Sequence, residues 1–198
     1  MKNNLIKTIS FFLIIGVFFL VIFYKTILKE KNTSLSLSKS VNEFDLVTHE
    51  GNSFDTDYFY NYPSLIFFGF LNCPDVCPFT LIRLSKIIEK LDTDKEKLKY
   101  YFVTVDPERD DNEAIKNYLS AFNEDIIGIT GSSLSIKKFL KHMHVYSKKV
   151  FLDDENYTMD HSSQMFIFNK KGKFSGTISS EESMDIILNK LKRVINGA

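Results

Sequence analysis

Cysteine is scarce: the 198 residues contain two, Cys73 and Cys77, four positions apart. A disulfide-stapled scaffold needs more bridges across wider loops, so that class is excluded. An excess of charge is missing too, because 25 basic side chains face 25 acidic ones. The balance is uneven along the chain. Residues 1–31 hold five lysines against Glu30, which leaves 20 bases and 24 acids in the remainder. A mildly acidic domain lacks the basic footprint of a nucleic-acid binder, so no nucleic-acid partner is expected. Tryptophan is absent, arginine is scarce and no internal repeat is visible. The abundance of Lys and Asn hints at an AT-rich genome and says nothing of function.

Charge is also absent from one long run. Thr8 to Tyr24 is 17 uncharged residues, and Ile27 and Leu28 continue its apolar character past Lys25. A bilayer core of ~30 Å needs about 20 helical residues, and Lys25 can reach the interface with its amine. The rival, a cleaved signal peptide, calls for a shorter apolar core and small residues at the cleavage site. The chain continues instead as Lys-Thr-Ile-Leu-Lys-Glu-Lys. The expectation is an uncleaved anchor in residues 1–31, transmembrane over about 8–28, with its lysines on anionic headgroups. Two lysines precede the run and three follow, so charge does not orient it.

Residues 32–40 (NTSLSLSKS) read as a polar tether, and one domain is expected over 41–198. Phe44-Asp-Leu46 with Gly51 and Phe54 suggests a hairpin. Ser64–Leu71 is a continuous apolar run, expected as a buried central strand. Pro78–Leu91 repeats apolar residues with a helical period. Further strands are expected at Lys99–Val105, Ile126–Thr130, Val145–Leu152 and Gln164–Asn169. Helices are expected at Asn112–Phe122, Ser133–His142 and Ser180–Asn196, with Ser132 or Ser133 and Ser180 as caps. Alternating strands and helices imply an α/β fold with a mostly parallel central sheet.

The sharpest motif is Asn72-Cys73-Pro74-Asp75-Val76-Cys77-Pro78, between the apolar strand and the first helix. Cysteines at i and i+4 of a helix share a face, about 5–6 Å apart at Cβ. Two thiolates can converge there on one soft metal ion such as Cu(I), or close into a disulfide. Pro74 suits a first helical turn, and a helix N-terminus favours a thiolate. The plainer alternative is a structural disulfide or two inert buried thiols. A four-residue loop adds little stability as a disulfide, and inert thiols need no flanking prolines.

Histidine is scarce as well, with four in the chain. His49 sits in an expected turn and reads as solvated. His142 and His144 end a helix amid lysines, where histidine is favourable for ordinary electrostatic reasons. His161 differs, because it stands just ahead of the apolar strand Gln164–Asn169 in Tyr157-Thr-Met-Asp160-His161-Ser162-Ser163. Imidazole is a common copper ligand, and Asp160 could orient it. Spacing alone does not join His161 to Cys73. In Asp106-Pro107-Glu108-Arg109-Asp110-Asp111-Asn112, capping and first-turn acids explain most residues, while Arg109 could carry an ion pair that fixes the loop.

Three motifs in order resemble the SCO/SenC family: Cys73-Pro-Asp-Val-Cys77-Pro after Phe68-Gly69-Phe70, then Val105-Asp106-Pro107-Glu108-Arg109-Asp110, then Tyr157-Thr-Met-Asp160-His161-Ser162. The Phe44-x-Leu46 hairpin and Val145-Tyr146-Ser147-Lys148 also look like that family. The resemblance spans about residues 41–196. It implies a thioredoxin-like fold tethered to the inner membrane, with the domain on the periplasmic side. It implies copper ligands Cys73, Cys77 and His161, a supporting Asp106, and a role in assembling the CuA site of cytochrome c oxidase. Leu71-Asn72 departs from the Thr-His that commonly precedes the first cysteine of relatives. No Arg-rich leader precedes the anchor, which argues for a bacterial protein.

The reading that follows is a copper metallochaperone, a binding protein rather than an enzyme, carrying Cu(I) with Cu(II) as a second state. Its partner would be the copper-bearing oxidase subunit. The rival is a thiol–disulfide oxidoreductase that reduces the cysteines of the oxidase copper site through Cys73 and Cys77. A peroxidase and a copper or redox sensor rank lower.

Overall fold

The structure is a computed structural model. It describes residues 15–25, 44–54, 58–59, 61–154 and 156–197. The chain divides into two units, residues 1–34 and 35–198. In the first, residues 15–25 are helical, with Val17 to Tyr24 exposed. Among the described residues no helix is long and apolar enough to cross a membrane. The expected span over 8–28 lies partly outside the described residues, and the tether 32–40 and domain start at 41 wholly so.

The second unit is built on a seven-stranded sheet. Its strands are β1 (Leu46–Thr48), β2 (Ser53–Phe54), β3 (Ser64–Gly69), β4 (Lys99–Thr104), β5 (Ile126–Gly131), β8 (Met165–Phe168) and β9 (Phe174–Ile178). They lie in the order β2-β1-β5-β4-β3-β8-β9, and β6 (Ser147–Phe151) and β7 (Tyr157–His161) form a separate hairpin. The helices are α1 (Val76–Leu91), α2 (Asn112–Leu119), α3 (Ser133–His142) and α4 (Met184–Ile195). All six residues of β3 are buried, as expected for an apolar central strand without alternation. Along α1, Leu81, Leu84, Ile87, Ile88 and Leu91 are buried, which is the helical stripe of the sequence. Helix α1 packs against α4, and α2 and α3 pack on β5. Gly128 lets α2 approach, since a Cβ there would meet Ile115 Cγ2 at 2.3 Å.

Several expectations are corrected. The sheet is mixed rather than mostly parallel: β3–β4 and β4–β5 are parallel, while β1–β2, β1–β5, β3–β8 and β8–β9 are antiparallel. Strands β7 and β9 are additional. Their sequences, YTMDH and FSGTI, hold too few apolar residues to stand out as strands, one lying in a two-stranded hairpin and the other on the sheet edge. Helix α4 starts after Ser183, since Arg83 ties down the Ser180 and Glu182 carbonyls ahead of it. His49 is not solvated: its Nδ1 accepts the Gly128 amide at 2.8 Å.

Topology decides where the motifs meet. Parallel in-register strands end at one sheet edge, and Gly69 pairs with Thr104. The turn after β3 and the loop after β4 therefore emerge together. Strand β8 runs antiparallel to β3, with Met165 opposite Phe67, so the chain just before β8 arrives at that same edge. Those three segments carry Cys73 and Cys77, Asp106 to Asp111, and His161.

Candidate metal centre

The cysteine turn is built from β3 and α1. Gly69 is required, because a Cβ there would meet Phe102 Cε2 at 2.9 Å and Cys77 Sγ at 3.1 Å. Helix α1 begins at Val76, so Cys73 precedes it and the pair does not share a helix face as expected. Pro74 stands outside the helix and Pro78 within its first turn, where a missing N–H costs little. Asp75, at the cap position, makes no capping bond. The Cys73 sulfur folds back and accepts the Cys77 amide at 3.4 Å, which places it at the positive end of α1. Both cysteines are free; Cys73 is half-buried and Cys77 fully buried. Burial pushes the Cys77 thiol far up, so without metal it holds its proton at neutral pH.

His161 meets this turn from the other side. Its Nε2 lies 3.7 Å from Cys77 Sγ, although 84 positions separate the two residues. Nδ1 lies 2.9 Å from the Ser162 carbonyl oxygen. A carbonyl can only accept, so Nδ1 carries the proton and the Nε2 lone pair faces the sulfur. Burial lowers the His161 pKa, which keeps the ring neutral and fit to ligate. The buried Phe70 ring stands edge-on to it, 5.6 Å between centroids. Asp160 does not supply the orienting contact. Neighbours on a strand point to opposite faces, and the exposed Asp160 carboxylate meets the Tyr146 hydroxyl instead.

Asp106 acts through the hairpin. It is buried; its Oδ2 pairs with Arg109 Nε at 2.5 Å and its Oδ1 accepts the Tyr157 hydroxyl at 2.9 Å. Arg109 also donates to the Tyr157 carbonyl at 3.0 Å and lies 3.8 Å from its ring centroid. The ion pair considered for Arg109 thus exists, and it clamps β7 to the loop after β4. Asp110, read from sequence as a helix-capping acid, holds the cysteine turn. Its Oδ2 accepts Leu71 N at 3.1 Å and Thr104 Oγ1 at 2.7 Å. Burial raises its pKa to about 6. Asp111, its neighbour, caps α2 through Ala114 N. Nothing in the Asp-Asp pair tells which one turns inward, and nothing near Tyr157 marks it as Asp106's partner.

Among the described residues no three His, Cys, Asp or Glu side chains are gathered around a common point that could hold a metal. Cys77 and His161 face each other, while the Cys73 sulfur is turned onto the α1 amide. The donor chemistry nevertheless fits a soft ion: two sulfurs and an imidazole in the ligating tautomer.

The SCO1/SenC family model matches residues 32–196. This chain belongs to the SCO1/SenC family. The SCO2-like protein of Rickettsia prowazekii is 36% identical over 152 residues, covering 74% of each chain. The human mitochondrial SCO1 homolog is 34% identical over 150 residues, 74% of this chain and 50% of that one. Bradyrhizobium japonicum ScoI, solved with copper bound, matches with a TM-score of 0.72 at 34% identity, covering 76% of this chain and 96% of that chain. Yeast Sco1 with copper bound also gives 0.72, at 29% identity over 81% of this chain and 91% of that chain. The fold is therefore the thioredoxin-like α/β fold of this family, with a mixed sheet.

Proposed function

We propose that this SCO1/SenC protein carries copper as cargo and delivers it to the CuA site of the copper-bearing subunit of cytochrome c oxidase. The observation that carries the reading is the approach of Cys77 Sγ to His161 Nε2, with the Cys73 sulfur at the adjoining helix end. Relatives solved with copper bound support it. Cys73 turns from the α1 amide to join Cys77, and His161 contributes Nε2. Cys77 gives up its proton as it ligates, so loading releases a proton and weakens in acid. Two thiolates and an imidazole suit Cu(I), and the imidazole gives Cu(II) a nitrogen donor. The half-buried Cys73 is where an acceptor thiolate replaces a ligand first, so no free ion is released. The uncharged run Thr8–Tyr24 anchors the chain in the inner membrane, with the domain on the periplasmic side.

One observation favours a second reading, thiol–disulfide exchange: the more accessible Cys73 sulfur lies over a buried partner thiol, the arrangement of an attacking and a resolving cysteine. His161→Ala separates the two. Purified in detergent, the full-length variant is expected to bind Cu(I) more weakly, to lose a defined Cu(II) site, and to exchange disulfides at near the unmodified rate. Cells carrying it lose oxidase copper loading. Full oxidase activity in those cells at limiting copper would transfer the function to disulfide exchange. The unmodified chain binds one Cu(I) when reduced and none as the Cys73–Cys77 disulfide; equal loading in both states would end the metal assignment.

A further inference from the structure

The outer face of α1 breaks the rule that its inner face obeys. Leu81, Leu84, Ile87, Ile88 and Leu91 are buried, yet Val76, Phe79 and Ile82 are apolar and 46%, 68% and 45% exposed. They stand three positions apart, which puts them on one side of the first turns. A cluster of exposed apolar side chains, unlike a lone one, marks a contact surface.

These three residues form one wall of a groove of about 620 Å³. Buried Met165 of β8 and Ile178 of β9 line it from the sheet. The volume lies within the roughly 300–1,000 Å³ of clefts that hold a ligand. The groove starts at the metal centre: Asp75 and Val76 are the two residues ahead of Cys77, and Ser163, also in the lining, is two positions past His161. It ends at Arg83 and Lys86, roughly two to three turns along α1. Arg83 is held there by the Ser180 and Glu182 carbonyls. Lys86 is exposed and forms no ion pair among the described residues. The groove is thus apolar in the middle and basic at the end far from the metal centre.

The chemistry beside the groove says what covers it. Handover at the half-buried Cys73 needs an acceptor thiolate at that sulfur. An acceptor placed there must cover the surface around the cysteine turn, and the groove is continuous with that surface. We propose that this groove seats the copper acceptor: an apolar side chain beside the acceptor's cysteine enters between Phe79, Ile82 and Met165, and an acceptor carboxylate meets Lys86 and Arg83. The proposal rests on the copper-delivery reading above and adds to it the docking surface and the acceptor's chemistry. Apolar burial holds the acceptor in place for exchange, and the basic end fixes its direction along α1.

The test follows Cu(I) transfer from the loaded full-length protein in detergent to the reduced, metal-free soluble domain of the copper-bearing oxidase subunit, at increasing acceptor concentration. Phe79→Ala is expected to raise the acceptor concentration for half-maximal rate about tenfold, with Cu(I) loading and the melting midpoint unchanged. Lys86→Glu is expected to slow transfer several-fold at low salt, and the difference closes as salt screens the charge. Leu134→Ala, at a 63% exposed position on α3 outside the groove, leaves transfer unchanged. Unaltered saturation in Phe79→Ala would overturn the proposal while the delivery reading stands. An equal rise in Leu134→Ala would also overturn it, by assigning the effect to surface apolarity in general. A dimer that Phe79→Ala converts to monomer on gel filtration, with transfer unaltered, would assign the groove to a second copy of the chain instead. An unmodified protein that binds Cu(I) but passes none to this acceptor would remove the delivery reading, and this proposal with it.

Discussion

The turn that carries Cys73 and Cys77 and the hairpin that carries His161 reach the same point by opposite means. The turn grows out of β3, six buried residues in the middle of the sheet, and runs into α1, whose apolar face is buried along its length. Its position is a consequence of the core. The hairpin β6–β7 has two strands and no place in the main sheet. Its residues are exposed or half-buried, and Phe151 and Leu152 at its tip are 70% and 68% exposed. A lone hairpin is marginal in water. This one is held at its base by the Tyr146–Ser162 backbone bond and along β7 by Asp106, Arg109 and Tyr157. The Cys77 sulfur is therefore set by burial, and the imidazole by a few polar contacts. A centre built this way has a fixed side and an adjustable side.

The largest expected effect is on the fixed side. Cys77→Ser is expected to drop bound Cu(I) from one per chain to background after gel filtration, with the circular dichroism spectrum retained. Stoichiometric copper in that variant would mean that the hairpin side holds metal without the buried sulfur. Next comes the core beneath the turn. Phe67 is fully buried on β3, and Phe67→Ala is expected to lower global stability by about 3–5 kcal/mol in denaturant titration. A cost under about 1 kcal/mol would show that the turn does not depend on the core as the comparison requires.

Asp110 joins the turn to the loop after β4, and its ionisation sharpens the comparison through pH. Its folded pKa, about 6, stands above the ordinary 3.8. Between those values the native state holds the extra proton. Stability from this group is thus fully present below about pH 4, falls as pH rises to about 6, and is level above. The fall is about 3 kcal/mol at most. Asp110→Asn should flatten the curve in that window, as read by unfolding midpoints at stepped pH. An unchanged slope would place the titrating group elsewhere.

The smallest effect is expected on the adjustable side. Tyr157→Phe removes one hydrogen bond to buried Asp106 and should cost about 1–2 kcal/mol. Amides 157–161 are expected to exchange about tenfold faster, while the α1 amides change little. Equal acceleration in both segments would mean that hairpin and core open as one unit, and the distinction drawn here would fail.

The sequence by itself determined the elements whose residues are buried as continuous or periodic sets: β3, β4, α1, α3 and the β1–β2 hairpin. Burial leaves a pattern that the chain cannot hide. It also named the candidate donors, Cys73 and Cys77 by the scarcity of cysteine and His161 by the resemblance to the family's motifs. It did not determine β7 or β9, where a single inward apolar residue, Met159 in one and Ile178 in the other, is too little to write a period. Nor did it foresee the mixed sheet, because the direction of β8 against β3 depends on how the hairpin turns the chain around. The supporting contacts were the least legible. Asp110 and Asp111 are chemically identical neighbours, yet one locks the cysteine turn and the other caps α2. Asp160 sits beside His161 in sequence but faces away from it, since a strand alternates its side chains. Tyr157, 51 positions from Asp106, becomes its partner only because three strand ends converge on one edge of the sheet. Sequence specifies which groups exist and which segments must be buried. Which polar groups meet depends on strand order, register and direction, and these are settled only when the core has formed.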